Sequence, residues 1–179
     1  MRVLFALSLF LCLTPNLRAA EVVAGLQRFH AYDATLASSG QPKRNQFTAI
    51  AAAGYKVIVN VAASDSNPDA VRDEKQLVEQ AGMEYYAIPI SWQKPEINQV
   101  MAAVKLLETL QDKPTLVHCY VNSRASLVAY LLRSKRDRAS NADETEVMTK
   151  IWKQNRGYEY ENSPEWQFLL EDAKKLSVK

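Results

Sequence analysis

The chain has 179 residues, 47% of them hydrophobic, with 22 Lys and Arg against 20 Asp and Glu. This length and hydrophobic fraction fit one globular domain with its own core. The near-balance of charge provides no strongly basic surface, so we expect neither nucleic acid nor a membrane surface as a partner.

The first twenty residues predict a secretory signal peptide. Arg2 precedes an apolar run over residues 3–13, which is too short to span a bilayer, and the small residues Ala19-Ala20 mark a cleavage site. Residues 21–179 would then form the mature domain, periplasmic or secreted, without lasting membrane insertion. Cleavage removes Arg2 and Arg18, so 20 basic residues face 20 acidic ones and the mature chain is formally neutral.

Cleavage also removes Cys12, which leaves Cys119 as the only thiol of the mature chain. An intramolecular disulfide is then impossible, and an unpaired Cys in an exported protein is a candidate reactive residue. The two histidines, His30 and His118, are far apart in the sequence. We therefore expect no metal site, and we expect no other cofactor.

After this leader the chain alternates between strand-like and helix-like stretches, which is typical of an α/β fold. Near-continuous apolar runs predict buried strands, and amphipathic stretches predict helices. In chain order the predicted elements are a strand at 27–32, a loop at 37–42, a helix at 43–53, a strand at 55–62, a loop at 63–68, a helix at 69–81, a strand at 84–90, a loop at 91–96, a helix at 97–111, a strand at 114–117 and a helix at 125–133. We predict a single three-layer α/β domain, with a mainly parallel sheet of four or five strands flanked by helices.

Two further helices are predicted after a charged run at 134–138. Asn141 with Glu144 resembles a capping box, and Ser163-Pro164-Glu165 indicates the start of the last helix. The aromatic residues of this part fit either a substrate wall or the packing of the helix pair onto the domain, and we favour packing for all four: Trp152, Tyr158, Tyr160 and Trp166.

Cys119 lies at the junction of a predicted strand and a predicted helix. In an open α/β sheet this junction is at the ligand-binding edge, where the helix N-terminus offers unpaired N–H groups to an anion. Such a position favours the thiolate form of a Cys, and Arg124, across the loop, can hold an oxyanion with its planar guanidinium. These residues predict a covalent thiolate enzyme that acts on an anion.

The sequence His118-Cys119, followed by Arg124 and Ser126, resembles the phosphate-binding loop of Cys-dependent protein phosphatases of the tyrosine and dual-specificity type. The upstream motif Ser39-Gly40-Gln41-Pro42 resembles that of small bacterial phosphatase-like proteins. Four residues separate Cys119 from Arg124, whereas those enzymes have five, and Ala125 intervenes before Ser126. A gap of four residues is the length seen in rhodanese-type sulfurtransferases, and it also occurs in the small bacterial phosphatase-like proteins.

The resemblance implies a phosphatase-like fold and the hydrolysis of phosphomonoesters, with phosphotyrosine or another phosphoprotein among the candidate substrates. Cys119 would be the nucleophile that forms a phosphocysteine. The phosphate would bind to five residues of the loop: Tyr120, Val121, Asn122, Ser123 and Arg124. His118 and Ser126 would support this loop. Glu96 or Asp65 would be the general acid.

Two other functions remain open. A persulfide on Cys119 would make the protein a rhodanese-like sulfurtransferase, and a loop that binds anions without turnover would make it a binding module. In each case we expect a monomer that takes a phosphorylated substrate or another small oxyanion.

Overall fold

The structure, a computed structural model, describes residues 21, 23–62, 70–136, 141–155 and 159–177. Five strands form one sheet: β1 (His30–Ala31), β2 (Leu36–Ser39), β3 (Val57–Ala62), β4 (Glu84–Ile90) and β5 (Thr115–His118). The described residues also form six α-helices: α1 (Phe47–Ala52), α2 (Glu74–Gln80), α3 (Ile97–Thr109), α4 (Ser123–Arg136), α5 (Asn141–Lys153) and α6 (Pro164–Ser177). Short 3-10 turns at Arg44–Gln46 and Tyr160–Asn162 precede α1 and α6.

The sheet has the strand order β1-β2-β5-β3-β4. The pair β1 and β2 is antiparallel and the other pairs are parallel, which confirms the mainly parallel sheet. β5 lies in the centre, and its last residue, His118, is aligned with Ser39 of β2 on one side and with Asn60 of β3 on the other. The carboxyl ends of three strands therefore meet at one edge, where open α/β sheets bind ligands.

Side chains alternate across β3 and fill an apolar layer on each face of the sheet. Val57, Val59 and Val61 pack with residues of α3, α4, α5 and α6, whereas Ile58 packs with residues of α1 and α2. All four strand residues are fully buried. Burial on both faces explains why this strand is almost continuously apolar, and the three-layer arrangement is confirmed.

β2 occupies the first half of the loop predicted at 37–42, so that prediction is wrong for residues 37–39. Its residues run parallel to β5, and Ser38 and Ser39 are buried although both are polar. Each hydroxyl finds a nearby partner, since Ser39 Oγ donates to Gly40 O over 2.8 Å and Ser38 Oγ lies 3.0 Å from the Tyr32 hydroxyl. Local hydrogen bonds of this kind let a Ser-rich segment form a buried strand.

Other predicted elements differ from the structure at their ends. The strand predicted at 27–32 is limited to the two residues of β1, and α4 begins at Ser123, two residues earlier than predicted. The helix predicted at 69–81 is present as Glu74–Gln80, while residues 63–69 lie outside the described part of the chain.

The predicted signal peptide lies outside the described residues, as do the side chains of the predicted capping box at 141–144. In the described ranges no helix combines the length and the apolar character that crossing a bilayer requires.

Candidate active site

Cys119 follows β5 directly, at the predicted junction of strand and helix. Its backbone N–H donates to Ser39 O over 3.3 Å, and the residue is buried. The loop leads into α4, whose first intrahelical hydrogen bond runs from Ser126 N–H to Asn122 O over 3.0 Å. The amides that precede Ser126 in the first turn have no intrahelical acceptor, and they are suited to an anion.

A small pocket lies over Cys119, with a cavity volume of about 20 Å³. This is enough for about one water molecule. Its wall combines five of the predicted site residues with two residues of the loop after β4: Cys119, Tyr120, Val121, Ser123, Arg124, Trp92 and Gln93. The structure therefore brings the predicted nucleophile, the predicted arginine and most of the predicted loop to one pocket.

Arg124 is held in a defined position beside this pocket. Only 3% of the residue is exposed, and Nη1 donates to Ile90 O, at the end of β4, over 2.6 Å. A guanidinium has further N–H donors, so this bond leaves some of them for an oxyanion.

The Ser-Gly-Gln-Pro motif packs against the Cys119 loop. Gln41 N–H donates to Tyr120 O over 3.0 Å, and Gly40 pairs with Val121 in an isolated bridge. A Cβ on Gly40 would lie 2.9 Å from Tyr120 O, closer than side-chain carbons approach other atoms. Glycine therefore lets the end of β2 approach the loop, which gives the motif a physical role.

Two asparagines hold the loop at other points. Asn122, with a left-handed φ of 70°, donates from Nδ2 to Arg28 O over 2.6 Å. Asn155, just after α5, donates from Nδ2 to Val121 O over 3.1 Å and to Ser123 Oγ over 3.0 Å. The sequence offered no signal for Asn155, which belongs to no motif and is far from the loop along the chain.

The two residues predicted to support the loop have different partners. Ser126 Oγ donates to Ser123 O over 3.0 Å, within the first turn of α4. His118 is fully buried, and its Nε2 lies 2.9 Å from Glu74 Oε1 of α2. Ser126 is thus hydrogen-bonded where the loop ends, and His118 is hydrogen-bonded just before the loop begins.

Glu74 is the centre of a buried polar network that sequence reasoning missed. Besides the contact with His118, its Oε2 accepts from Gln41 Nε2 over 2.6 Å and its Oε1 accepts from Asn60 Nδ2 over 3.0 Å. Burial acts to raise the pKa of Glu74, but the charge of His118 and the hydrogen bonds from all three partners together lower it. Glu74 is therefore ionised at neutral pH. In the sequence it was only one acidic residue in a predicted helix.

Tyr85 of β4 borders the same network, since its hydroxyl accepts from Asn60 Nδ2 over 3.3 Å. Burial, followed by the negative charge of Glu74, raises the pKa of Tyr85 well above its usual value. The phenol therefore stays neutral over the range in which most enzymes work.

Trp92 forms part of the pocket wall and is held by an aromatic cluster. Its ring centroid lies 5.1 Å from that of Trp166 and 5.4 Å from that of Trp152. Trp166 Nε1 also donates to Trp92 O over 3.1 Å. Trp152 and Trp166 are fully buried and Tyr160 packs against the same core, which confirms packing for these three; Tyr158 lies outside the described residues.

The described residues do not bring a predicted general acid to the pocket. Glu96 is exposed immediately before α3, and Asp65 lies outside the described part of the chain. Among described residues the pocket wall contains Gln93 and no carboxylate. The assignment of the general acid therefore stays a prediction.

Cys119 is a free thiol. Over the residues that the structure describes, no three or more His, Cys, Asp and Glu side chains are grouped so as to hold a metal ion. The groups that the pocket offers to a ligand are a thiol, a guanidinium and the first amides of a helix.

Known proteins resemble the chain in sequence and in fold, although no profile of a known protein family matches it. The DUF442 phosphatase-like protein of Shewanella putrefaciens CN-32 is 34% identical; the match covers 88% of this chain and 97% of that one, with a TM-score of 0.76. A β-lactamase hydrolase-like protein of Xylella fastidiosa is 29% identical over 115 residues, or 63% of this chain. The chain spans only about a quarter, 26%, of that relative's length.

Two more distant structures share the fold. Tk-PTP in its active form is 17% identical, with a TM-score of 0.63 over 83% of this chain and 97% of that one. TpbA of P. aeruginosa, solved in a complex with pTyr, is 16% identical, with a TM-score of 0.63 over 85% of this chain and 89% of that one.

The fold is that of phosphatase-like proteins, and the site combines the thiol of Cys119 with the guanidinium of Arg124. The match with the Shewanella protein, at 34% identity, covers nearly the whole of both chains. The chain belongs to the DUF442 family.

Proposed function

We propose that the protein hydrolyses phosphomonoesters through a phosphocysteine on Cys119. The observation that carries this proposal is the pocket wall shared by Cys119, Arg124 and the start of α4. A thiol nucleophile, a guanidinium and unpaired helix amides are the groups that covalent phosphoryl transfer needs. Membership of the DUF442 family supports the same chemistry.

In the first step the Cys119 thiolate attacks phosphorus, so that an S–P bond forms while the bond from phosphorus to the ester oxygen breaks. The leaving oxygen keeps the electron pair, takes a proton and departs as an alcohol or phenol. Water then attacks the phosphocysteine, the S–P bond breaks, and phosphate leaves as the thiolate returns. Arg124 and the first amides of α4 stabilise the charge on the phosphoryl oxygens.

The preferred substrates are esters with good leaving groups. The described part of the pocket wall holds Gln93 where a proton donor for the leaving oxygen would be useful. A general acid contributes about 10²–10⁴-fold to such a step. An aryl phosphate, phosphotyrosine included, loses least from a weak acid, because a phenol leaves more readily than an alcohol.

Hydrolysis of an activated aryl phosphate by the purified mature protein tests this proposal. Vanadate should inhibit the native protein by mimicking the five-coordinate transition state. Cys119→Ser should abolish turnover and still bind phosphate, which would show that its pocket is folded. Cyanide-dependent thiosulfate sulfurtransfer should be absent or far slower. Strong formation of thiocyanate with no hydrolysis of the aryl phosphate would refute the phosphatase assignment.

The small pocket and the four-residue loop favour sulfur transfer as a second candidate. A persulfide adds one sulfur atom to Cys119, which suits a volume of about 20 Å³ better than a phosphoryl group does. Thiosulfate would transfer its outer sulfur to the thiolate and release sulfite, and cyanide would then take that sulfur as thiocyanate. Phosphate binding with no turnover in either assay would instead indicate a binding module.

We also propose that the protein is exported and acts as a monomer on a phosphorylated substrate or another small oxyanion. The support for export is the leader, with Arg2, the apolar run at 3–13 and Ala19-Ala20. The intact mass of the exported protein should correspond to a chain that starts close to Glu21. A mass that retains the leader would contradict export, and a dimer mass in solution would contradict the monomer.

A further inference from the structure

We propose that Glu74 is a positioning residue that keeps Cys119 reactive, because its carboxylate holds the chain on both sides of that cysteine. The proposal rests on Cys119 as the nucleophile of the proposed function, and it assigns a role to a residue that no sequence motif indicated.

Glu74 reaches the residue before Cys119 directly and the residue after it through one intermediary. Its Oε1 lies 2.9 Å from Nε2 of His118. Its Oε2 accepts from Gln41 Nε2 over 2.6 Å, and the backbone N–H of Gln41 donates to Tyr120 O over 3.0 Å. One carboxylate therefore connects the end of β5, the Ser-Gly-Gln-Pro motif and the active-site loop.

These contacts are shielded from water. Glu74 is 3% exposed and His118 is 0% exposed. A buried carboxylate is tolerated only where hydrogen bonds and an opposite charge compensate the loss of water. Three of the donors bonded to Glu74 come from β3, β5 and the segment after β2, so the network can form only when these elements are correctly placed.

The charge of Glu74 also fixes a proton on His118. An ionised carboxylate only accepts hydrogen bonds, so Nε2 of His118 must be the donor. Nδ1 of His118 is buried and makes no hydrogen bond within the described residues, so no other group there selects a different tautomer. The carboxylate therefore sets the tautomer and the orientation of the ring that directly precedes Cys119.

The other ionisable groups around Glu74 do not replace this interaction. Tyr85 faces it from β4 but stays neutral, because burial raises the pKa of that phenol. Arg72 and Lys75 border the cavity of about 560 Å³ that Glu74 also lines, and both are exposed, so solvent screens their charges. His118 and Tyr85 both hydrogen-bond the carboxylate, and of the two only His118 can carry a positive charge.

Glu74→Gln tests the proposal, because glutamine keeps the size of the side chain and removes its charge. The rate of iodoacetamide alkylation is measured against pH on the mature protein, in which Cys119 is the only thiol. Glu79→Gln is the matched control, since Glu79 lies on the same helix, is exposed and pairs with Lys75.

Glu74→Gln should raise the pH of half-maximal alkylation by about one unit, and should slow alkylation about tenfold below that pH. Its limiting rate at high pH should not change, and the control should follow the native profile. A Glu74→Gln profile that coincides with the native one overturns the proposal. A lower limiting rate with an unchanged midpoint also overturns it, because reduced access of the reagent, with no change in the surroundings of the thiol, would produce that result.

A second measurement uses the native protein and does not depend on the folding of a variant. The chain has two histidines, so nitrogen NMR of the imidazoles shows two rings, and His30→Gln assigns them. Nε2 of His118 should carry a proton at pH 7. A neutral ring with its proton on Nδ1 overturns the proposal. Neither measurement requires phosphate turnover, so failure here is distinct from failure of the phosphatase assay.

Discussion

Replacing Gly40 by Ala should displace the active-site loop without altering a group that reacts. A Cβ at this position would lie 2.6 Å from Gln27 Oε1 and 2.9 Å from Tyr120 O. The Gln27 amide can rotate away, but Gln27 Cβ, which would lie 3.0 Å away, cannot. The Tyr120 carbonyl belongs to the loop backbone and also accepts the Gln41 N–H. Crowding of this kind costs about 1–3 kcal/mol, and the stiffer unfolded chain offsets about 0.4–1 kcal/mol of it. The free energy of unfolding should therefore fall by up to about 2.6 kcal/mol.

Urea unfolding measures that loss, and the iodoacetamide alkylation rate of Cys119 at fixed pH reports on the loop. Gly82→Ala is the matched control, because its φ of 80° strains an alanine while its Cβ would have no atom within 4 Å. Both variants should lose stability, by about 1–2 kcal/mol for the control. Only Gly40→Ala should change the alkylation rate and kcat. Native stability together with a native alkylation rate in Gly40→Ala would refute the close approach of β2 to the loop.

Three further perturbations probe the arginine, the aromatic cluster and the buried carboxylate. Arg124→Lys keeps the positive charge but removes the planar guanidinium, so kcat for an aryl phosphate should fall about 10²–10³-fold. An unchanged kcat would rule out bidentate binding of the phosphoryl group by Arg124. Trp166→Ala removes a fully buried ring and the hydrogen bond to Trp92 O, so the free energy of unfolding in urea should fall by about 3–5 kcal/mol. Phe168→Ala is the control, and it should change that free energy little because Phe168 is 72% exposed. Folding lowers the pKa of Glu74, so the ionised carboxylate stabilises the folded state at pH values above the unfolded-state pKa of about 4.3. This contribution is lost as the pH falls below that value and the carboxylate is protonated. Native protein should therefore lose stability more steeply than Glu74→Gln between about pH 5 and pH 3, and equal slopes would contradict the ion pair.

The site residues that sequence reasoning placed correctly belong to one local pattern. Cys119 follows four buried strand residues and precedes a long helix, and both elements are readable from neighbouring residues alone. Arg124 lies in the first turn of that helix, so its distance along the chain already limits its distance in space. The alternation of apolar and amphipathic segments predicted the three layers in the same way.

What the sequence did not reveal depends on contacts between distant residues. β2 has the composition of a turn, and it becomes a strand because β5 pairs with it along its whole length. Glu74 is 44 residues from its partner His118, and Asn155 is 34 residues from Val121. The sequence does not record whether a polar side chain is buried or exposed, because this depends on the tertiary fold.

The hydrogen bonds from Asn122 to Arg28 and from Asn155 to Val121 have a consequence for when the loop becomes fully supported. They join the loop to partners 94 residues before it and 34 residues after it. A nascent chain that has not yet extended beyond α5 has no donor for the Val121 carbonyl, so its loop lacks one of its supports. Each newly synthesised molecule should therefore complete the support of its active-site loop only after α5 and Asn155 have folded onto the sheet.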